Sequence, residues 1–320
     1  MILYPDNVPE LPEVETITRG LDKRVAGDVI ESVWIGSRKQ PLKSPAGVIA
    51  STLEGKRIAR VHRAGKHIVF DLEGEPAKPQ TASSQKKRKG TQVTAQKPGG
   101  NLGHRVDRGQ KRDSISPATA QWIVHLGMTG RMIVCEPAAE IAKHTHLIAK
   151  LASGRELRFV DPRMFGKLSV HLQSQPGGFD PGGVEPLEVS EEQFTALFRG
   201  RKTPIKSALL NQKLLRGVGN IYADESLFRA GIRPKRRAAT ITGKQLSELH
   251  HAVQEVLREA IKLGGSSISD YVDADGEEGF FQLQHRVYGR EGEPCRVCGG
   301  AIRRVVLAGR SSHYCAECQK

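Results

Sequence analysis

At 320 residues the chain is long enough for two domains with separate cores, and its 38% hydrophobic content includes no apolar run near the roughly 20 residues of a membrane span. Lys and Arg number 49 against 35 Asp and Glu, a net charge of +14 that points to a nucleic-acid partner, with a membrane surface or a basic tail as the other readings. The opening MILYPDNV lacks a basic start followed by a sustained apolar stretch, so no signal peptide is predicted and a cytoplasmic protein is expected.

In chain order, Val14, Ile17, Leu21 and Val25 recur at spacings of three and four, which predicts an amphipathic helix from Pro12 to about Val25. Pro12 suits its first turn, and Glu13 and Glu15 suit the positive end of its dipole. Short β-branched runs follow: VIESVWIG, RIARVHRAGKHIVFDL, QWIVHLGMTGRMIV, THLIAKL and GKLSVHL. Gly, Asp and Pro punctuate them, the pattern of an antiparallel sandwich. Residues Pro76 to Ala118 interrupt it with ten Lys and Arg against two Asp, a net +8. So polar a stretch cannot bury enough apolar surface to order itself, and it reads as a disordered basic insertion that adds nonspecific attraction to phosphates.

Gln173 to Val189 is rich in Pro and Gly and reads as a linker. Helices are predicted beyond it. Ser190 and Gln193 form a capping box before FTALF, and Gly200 is placed to end that helix. LLRGVGNIYADESL reads as two helices joined by a glycine turn, with Asn220 as N-cap of the second. Gly217 and Gly219 would let a ligand approach the backbone and the helix start would offer it N–H groups, but a plain capped turn explains the same residues. From Thr242 to Leu263, Leu246, Leu249, Val253, Val256, Leu257, Ala260 and Ile261 share one face.

Four of the five cysteines fall in the last 26 residues: Cys295 and Cys298, then Cys315 and Cys318. Sixteen residues separate the pairs, a spacing that suits one structural Zn2+ held by four thiolates. Two disulfides are the alternative, disfavoured without a secretion signal. Cys135 stands alone and is expected in the core.

The motifs PELPEVE, HLGMTGRM, DPRMFG, GVGNIYADESLF and VYGREGEPCRVCG occur in the order found in bacterial formamidopyrimidine-DNA glycosylases, and the chain resembles that family from Pro9 to Lys320 apart from the basic insertion. The resemblance implies an α+β fold: an N-terminal helix plus antiparallel β-sandwich, then a helical domain with a helix-two-turn-helix and a zinc-bound β-hairpin. The expected divisions are 1–8 as a mis-assigned upstream leader, 9–172 as the sandwich with 76–118 inserted, 173–189 as linker, 190–290 as the helical domain and 291–320 as the zinc finger. It further implies a monomer that binds duplex DNA between its domains, excises 8-oxoguanine and formamidopyrimidines, and then nicks the strand.

By the same resemblance Lys206 and Asn220 grip phosphates from the helical side, and His144, Arg163 and Arg201 make further backbone contacts. Met128, Arg163 and Phe165 would fill the gap left by the flipped nucleotide, because an apolar chain and a ring replace lost stacking while Arg pairs with the orphaned base. Many relatives carry a second Arg where this chain has Met164. Lys66 would assist β-elimination, Arg310 would assist δ-elimination, and residues 264–281 would form a loop that closes on the flipped base.

The family's nucleophile is an N-terminal proline, expected here at Pro9. An α-amino group titrates near 8, so about a tenth is neutral at pH 7, and a secondary amine yields an iminium that acts as an electron sink. An amide nitrogen could do neither, so Val8 is expected to mark the true start, with its initiator residue removed. Glu10 would be the general acid. Two rivals stand beside this reading: an endonuclease VIII-type glycosylase for oxidised pyrimidines, and a noncatalytic lesion-binding protein if Pro9 is not the N-terminus.

Overall fold

The computed structural model describes residues 8–38, 41–74, 119–172, 178–266 and 279–320. The basic insertion, all of the expected leader but Val8, the start of the linker and most of the expected closing loop lie outside the described residues. No helix among the described residues is long and apolar enough to cross a membrane.

The first helix, α1 (Leu11–Val25), begins one residue before the predicted start, with Glu10 extended as its N-cap. The Glu13 carboxylate turns back to accept the Glu10 N–H at 2.9 Å. Strands β1 (Ile30–Ile35), β5 (Arg131–Cys135), β6 (Thr145–Leu151) and β7 (Glu156–Val160) form one antiparallel sheet in the order β1-β6-β7-β5. Strands β2 (Arg57–Ala64), β3 (His67–Glu73), β4 (Ala120–His125) and β8 (Lys167–Leu172) form the other, in the order β2-β3-β4-β8.

Alternation sets the faces. Ile68, Phe70 and Leu72 point inward from β3 to a core shared with Leu147, Leu157 and Phe159 of the facing sheet and with Val14, Ile17, Leu21 and Val25 of α1. Phe70 stacks on Trp122 with ring centroids 4.6 Å apart. Val69 and Ile123 point the other way and are covered by Phe179.

Two elements were not legible in the runs of β-branched residues. β7 is buried at every position and so lacks alternation, and α2 (Ala46–Leu53) is a short helix of small and β-branched residues. Cys135, expected in the core, is half-buried instead, because it ends β5 at the edge of its sheet.

The remaining helices are α3 (Glu191–Phe198), α4 (Ile205–Leu209), α5 (Asn220–Arg229) and α6 (Gly243–Lys262). They enclose a second core in which Phe194, Phe198, Tyr222 and Leu249 are fully buried. The capping box at Ser190 forms as expected, and a second one forms at Thr242. A hairpin of β9 (Ile302–Leu307) and β10 (Arg310–Cys315) ends the chain, turning through Ala308 and Gly309, both with positive φ. That pair of left-handed residues is what a two-residue hairpin turn requires.

The segment joining the two cores is tied down along its described length. Arg63, on β2, is nearly buried and meets Glu15 of α1 at 2.8 Å and Glu185 of the joining segment at 2.7 Å. Glu185 also meets Arg216, from the turn before α5, at 3.2 Å. Phe179 N–H donates to Gln121 Oε1 on β4 at 2.5 Å. The two cores are thus joined through buried charge as well as through α1, whose Leu11 lies in the helical core while Val14 lies in the sandwich core.

Removing one partner of a buried ion pair leaves the other uncompensated. Arg63→Met should therefore destabilise the protein by about 3–5 kcal/mol in urea unfolding. Unchanged stability would show that the clamp contributes nothing.

Candidate active site

Pro9 and Glu10 lie where α1 meets the helical domain, and the contact is made by backbone. Leu11 N–H donates to the Gly217 carbonyl at 3.0 Å, and a Cβ on Gly217 would sit 2.8 Å from Leu11 Cδ1. A Cβ on Gly219 would lie 2.2 Å from Cδ of Glu10. The two glycines therefore admit side chains of the same chain, Leu11 at Gly217 and the Glu10 carboxyl at Gly219, rather than a ligand.

Asn220 is not the N-cap of α5. Gly219 is, with no side-chain cap of its own, and the Glu10 carboxyl accepts from Ile221 N–H at 3.2 Å in its place. Its pKa is pushed up to about 7, first by burial, with the positive charge of Lys66 and the N–H groups of Ile221 and Tyr222 opposing and Glu13 reinforcing. Glu10 is 3% exposed, and its Oε2 has no hydrogen-bond partner. Pro9, immediately before it, is half-buried.

Lys66 sits in the turn between β2 and β3, beyond Gly65 at φ +60°. Burial lowers its pKa, Glu10 and Glu13 oppose that shift, and Arg310 adds to it. The structure thus brings Glu10, Lys66 and Arg310 into one electrostatic neighbourhood. Arg310 itself is exposed, at the start of β10 beside the hairpin turn.

Lys206 is not free to grip a phosphate as expected. It is 1% exposed, paired with Asp224 at 2.7 Å and donating to the Ser311 carbonyl at 2.6 Å. Desolvation makes a lone buried ammonium unfavourable, so the carboxylate and carbonyl hold it in place. Asn220 does similar work: its Nδ2 donates to Ser311 Oγ at 3.3 Å, while its Oδ1 stays buried and unpartnered. Both residues pack the hairpin that carries Arg310 against α4 and α5.

Two acids of α5, missed in the sequence, complete that docking. Asp224 accepts from His313 N–H at 2.8 Å. Glu225, fully buried, accepts from the N–H groups of Arg286, Val287 and Tyr288 at 2.8–3.1 Å. The ADES portion of the motif carried the signal, since two adjacent acids on a helix with an apolar surround need buried partners. Glu13 was also missed as a site residue: it accepts from Tyr222 O–H and, at 2.8 Å, from Ser266 N–H.

On the sandwich side, Asp161 organises two loops. It is fully buried and accepts from Thr129 Oγ1 at 2.6 Å and from Gly166 N–H at 2.7 Å. Its own N–H donates to the His144 carbonyl at 3.0 Å. A Cβ on Gly127 would lie 2.5 Å from the Phe165 carbonyl carbon, so the HLGM and DPRMFG backbones are in contact.

This packing brings the segments carrying Met128, His144, Arg163 and Phe165 into one patch. Met164 at φ +56° turns the chain there; Phe165 is 52% exposed, and the Arg163 guanidinium lies 5.1 Å from its ring centroid. His125, also missed, neighbours Lys66 and His67. Its pKa is pushed down to about 4, first by burial and then by those charges, and its Nδ1 accepts from Gly127 N–H at 3.1 Å. Arg201 lies exposed in the loop after α3, its Nε donating to the Leu197 carbonyl.

The four cysteines Cys295, Cys298, Cys315 and Cys318 bring their sulfurs within 4.8 Å of one another. The pair Cys298–Cys315 is 3.4 Å apart and Cys295–Cys318 is 3.9 Å apart. Zinc–thiolate bonds of about 2.3 Å at tetrahedral angles place sulfurs about 3.8 Å apart, so the donors fit the ion. Four protein ligands leave no open position, so a zinc here is structural.

Three family models match the chain: the formamidopyrimidine-DNA glycosylase N-terminal domain over residues 8–168, the H2TH domain of the same enzymes over 183–272, and the zinc finger found in FPG and IleRS over 292–320. The formamidopyrimidine-DNA glycosylase of Solibacter usitatus is 41% identical over 98% of this chain and 100% of its own length. That of Ruegeria pomeroyi is 37% identical over 98% of this chain and its full length. A Lactococcus lactis FPG mutant crystallised with Fapy-dG-containing DNA superposes with a TM-score of 0.78 at 30% identity, covering 98% of this chain and 100% of that one. MutM (FPG) from Thermus thermophilus gives 0.74 at 35% identity, covering 97% and 98%.

Sandwich, helical domain and four-cysteine hairpin together define a DNA-repair glycosylase with one structural zinc. The chain belongs to the formamidopyrimidine-DNA glycosylase family.

Two substitutions test the geometry. Gly219→Ala puts a methyl where the Glu10 carboxyl lies, so glycosylase turnover should fall by at least about tenfold while far-UV circular dichroism stays native. Full activity would mean that Glu10 need not stand there. Cys298→Ser should lose bound zinc and, with it, DNA binding, because ligand-set energy is folding energy for the hairpin. Retained stoichiometric zinc would disprove the four-cysteine site.

Proposed function

We propose that the protein excises oxidised purines, 8-oxoguanine and formamidopyrimidines, from duplex DNA and cuts the strand through a Schiff base on Pro9. One observation carries the proposal: Pro9 stands beside a buried carboxyl, Glu10, whose pKa of about 7 lets it hold a proton at neutral pH. The Lactococcus lactis structures with Fapy-dG DNA support the substrate class. The N-terminal family model begins at residue 8, which supports an active form that starts at Pro9.

In that form the free proline nitrogen attacks the sugar C1′ as the bond from C1′ to the base breaks. Glu10 protonates the ring oxygen, the sugar opens, and the nitrogen becomes an iminium cation. Loss of a C2′ proton sends its electron pair into the iminium to give an enamine. The return of that pair forms the C2′–C3′ double bond as the C3′–O bond breaks and the 3′ phosphate leaves, restoring a conjugated iminium. A second elimination releases the 5′ phosphate.

Lys66 stands near Glu10 to serve the first elimination, and exposed Arg310 is available to the departing phosphate. Met128, Arg163 and Phe165 fill the space the nucleotide vacates. Asn220, His144 and Arg201 contact the backbone, while Lys206 is a positioning residue that fixes Ser311 next to Arg310.

Borohydride trapping tests this. Protein starting at Pro9, mixed with a duplex carrying 8-oxoguanine opposite cytosine, should form a reduced crosslink. Protein starting at Met1 should form none at Pro9, because an amide nitrogen does not attack. Binding without a crosslink by the Pro9-start protein would end the proposal.

The acid role adds a pH signature. With a pKa near 7 the Glu10 proton is lost above that value, while the proline amine becomes neutral only toward about 8. Single-turnover excision should therefore follow a bell with its maximum between the two and Glu10 supplying the falling limb. Glu10→Gln should bind the lesion, excise slowly and lose that limb of the profile. The sign for stability is the same: the folded carboxyl binds its proton more tightly than the ordinary value of 4.5 allows, so its contribution is lost as pH rises from about 4.5 to about 7.

A further inference from the structure

The junction of α3 and α6 holds a cluster that the chemistry above does not use. Glu191 opens α3, and His250 and His251 are neighbours on α6. Each of the three offers a ligand atom, and these atoms lie within 4.8 Å of one another. His251 Nε2 is 3.7 Å from Glu191 Oε2, and both side chains are exposed.

His250 is different: it is 6% exposed and packs against the ring of Phe194. Its Nε2 lies 2.9 Å from the Val189 carbonyl oxygen. A carbonyl can only accept, so Nε2 carries the ring proton and, in the neutral imidazole, the lone pair sits on Nδ1. The Gln254 amide, 3.0 Å from the same nitrogen, has its own acceptor in the Pro186 carbonyl at 3.2 Å. Nδ1 is buried and has no hydrogen-bond partner.

A buried acceptor with nothing to accept from is unfavourable, and a histidine whose far N–H is fixed on a backbone carbonyl has the orientation of a metal-bound imidazole. We propose that Glu191, His250 and His251 form a second metal site, of the two-histidine, one-carboxylate type, that takes a first-row divalent cation such as Zn2+. Imidazole nitrogen and carboxylate oxygen suit that class of ion. His250 is the fixed ligand, and the exposed His251 and Glu191 close on the ion by rotating their side chains. Unlike the cysteine site it contains no thiolate and leaves a position for water. Occupied, it ties the first turn of α3 to α6 beside Val189, where the joining segment enters the helical domain.

The test uses the full chain with its cysteine site already zinc-loaded. Calorimetric titration with Zn2+ should show one further equivalent in the wild type. His251→Ala and Glu191→Gln, both at exposed positions that leave the fold intact, should each weaken that uptake by about tenfold or more. Added Zn2+ should raise the thermal midpoint of the wild type but not of His251→Ala. Nitrogen NMR of the imidazoles should show the His250 Nδ1 resonance moving on Zn2+ addition while Nε2 keeps its proton. No further equivalent in the wild type, an extra equivalent that both variants retain, or an unmoved Nδ1 resonance would overturn the site.

Discussion

The carboxyl group of Glu10 occupies the space where any side chain on Gly219 would have to be, and much of the molecule is arranged around that fact. It supplies the N-terminal cap that α5 lacks, from an element that belongs mainly to the other core. An acid at the positive end of a helix is favourable, but this one is also stripped of water, and burial is the larger influence on its pKa. The contact that sets one domain against the other therefore also raises the affinity of Glu10 for a proton. Structure and acid–base character are two consequences of one approach of backbone to carboxyl, and Gly217 repeats the approach against Leu11.

A second layer of buried charge holds the zinc hairpin in register. Lys206, Asp224, Glu225 and Asn220 all end on hairpin atoms or on the segment that leads into it. Each is buried, so each needs its partner, and the set permits few alternative dockings. Arg310 stays exposed at the start of β10, one residue before the Ser311 that Lys206 and Asn220 hold. The chain's positive charge thus divides by burial: Lys206 and Arg63 work inside the protein, whereas Arg163, Arg201 and Arg310 face outward. Net charge alone could not make that division. Asp161 plays the corresponding part on the sandwich side, where it is the acceptor that holds the HLGM and DPRMFG turns together.

Local rules, acting within a few residues, were enough to read α1, the capping box at Ser190, the sandwich class and the four-cysteine spacing from the sequence. The motifs added the family and located Pro9 and Glu10. Asn220 misled because its place before a helix suggests a cap, whereas the cap comes from Glu10, 211 positions before the Ile221 N–H that it accepts from. Lys206, given its phosphate role by the resemblance, is held here by Asp224, a partner that no local pattern announces. β7 escaped because burial on both faces removes the alternation that marks a strand. The sequence by itself determined which residues could do chemistry. Only the tertiary structure decided which of them are buried and paired, because burial and pairing are properties of neighbours that chain order does not list.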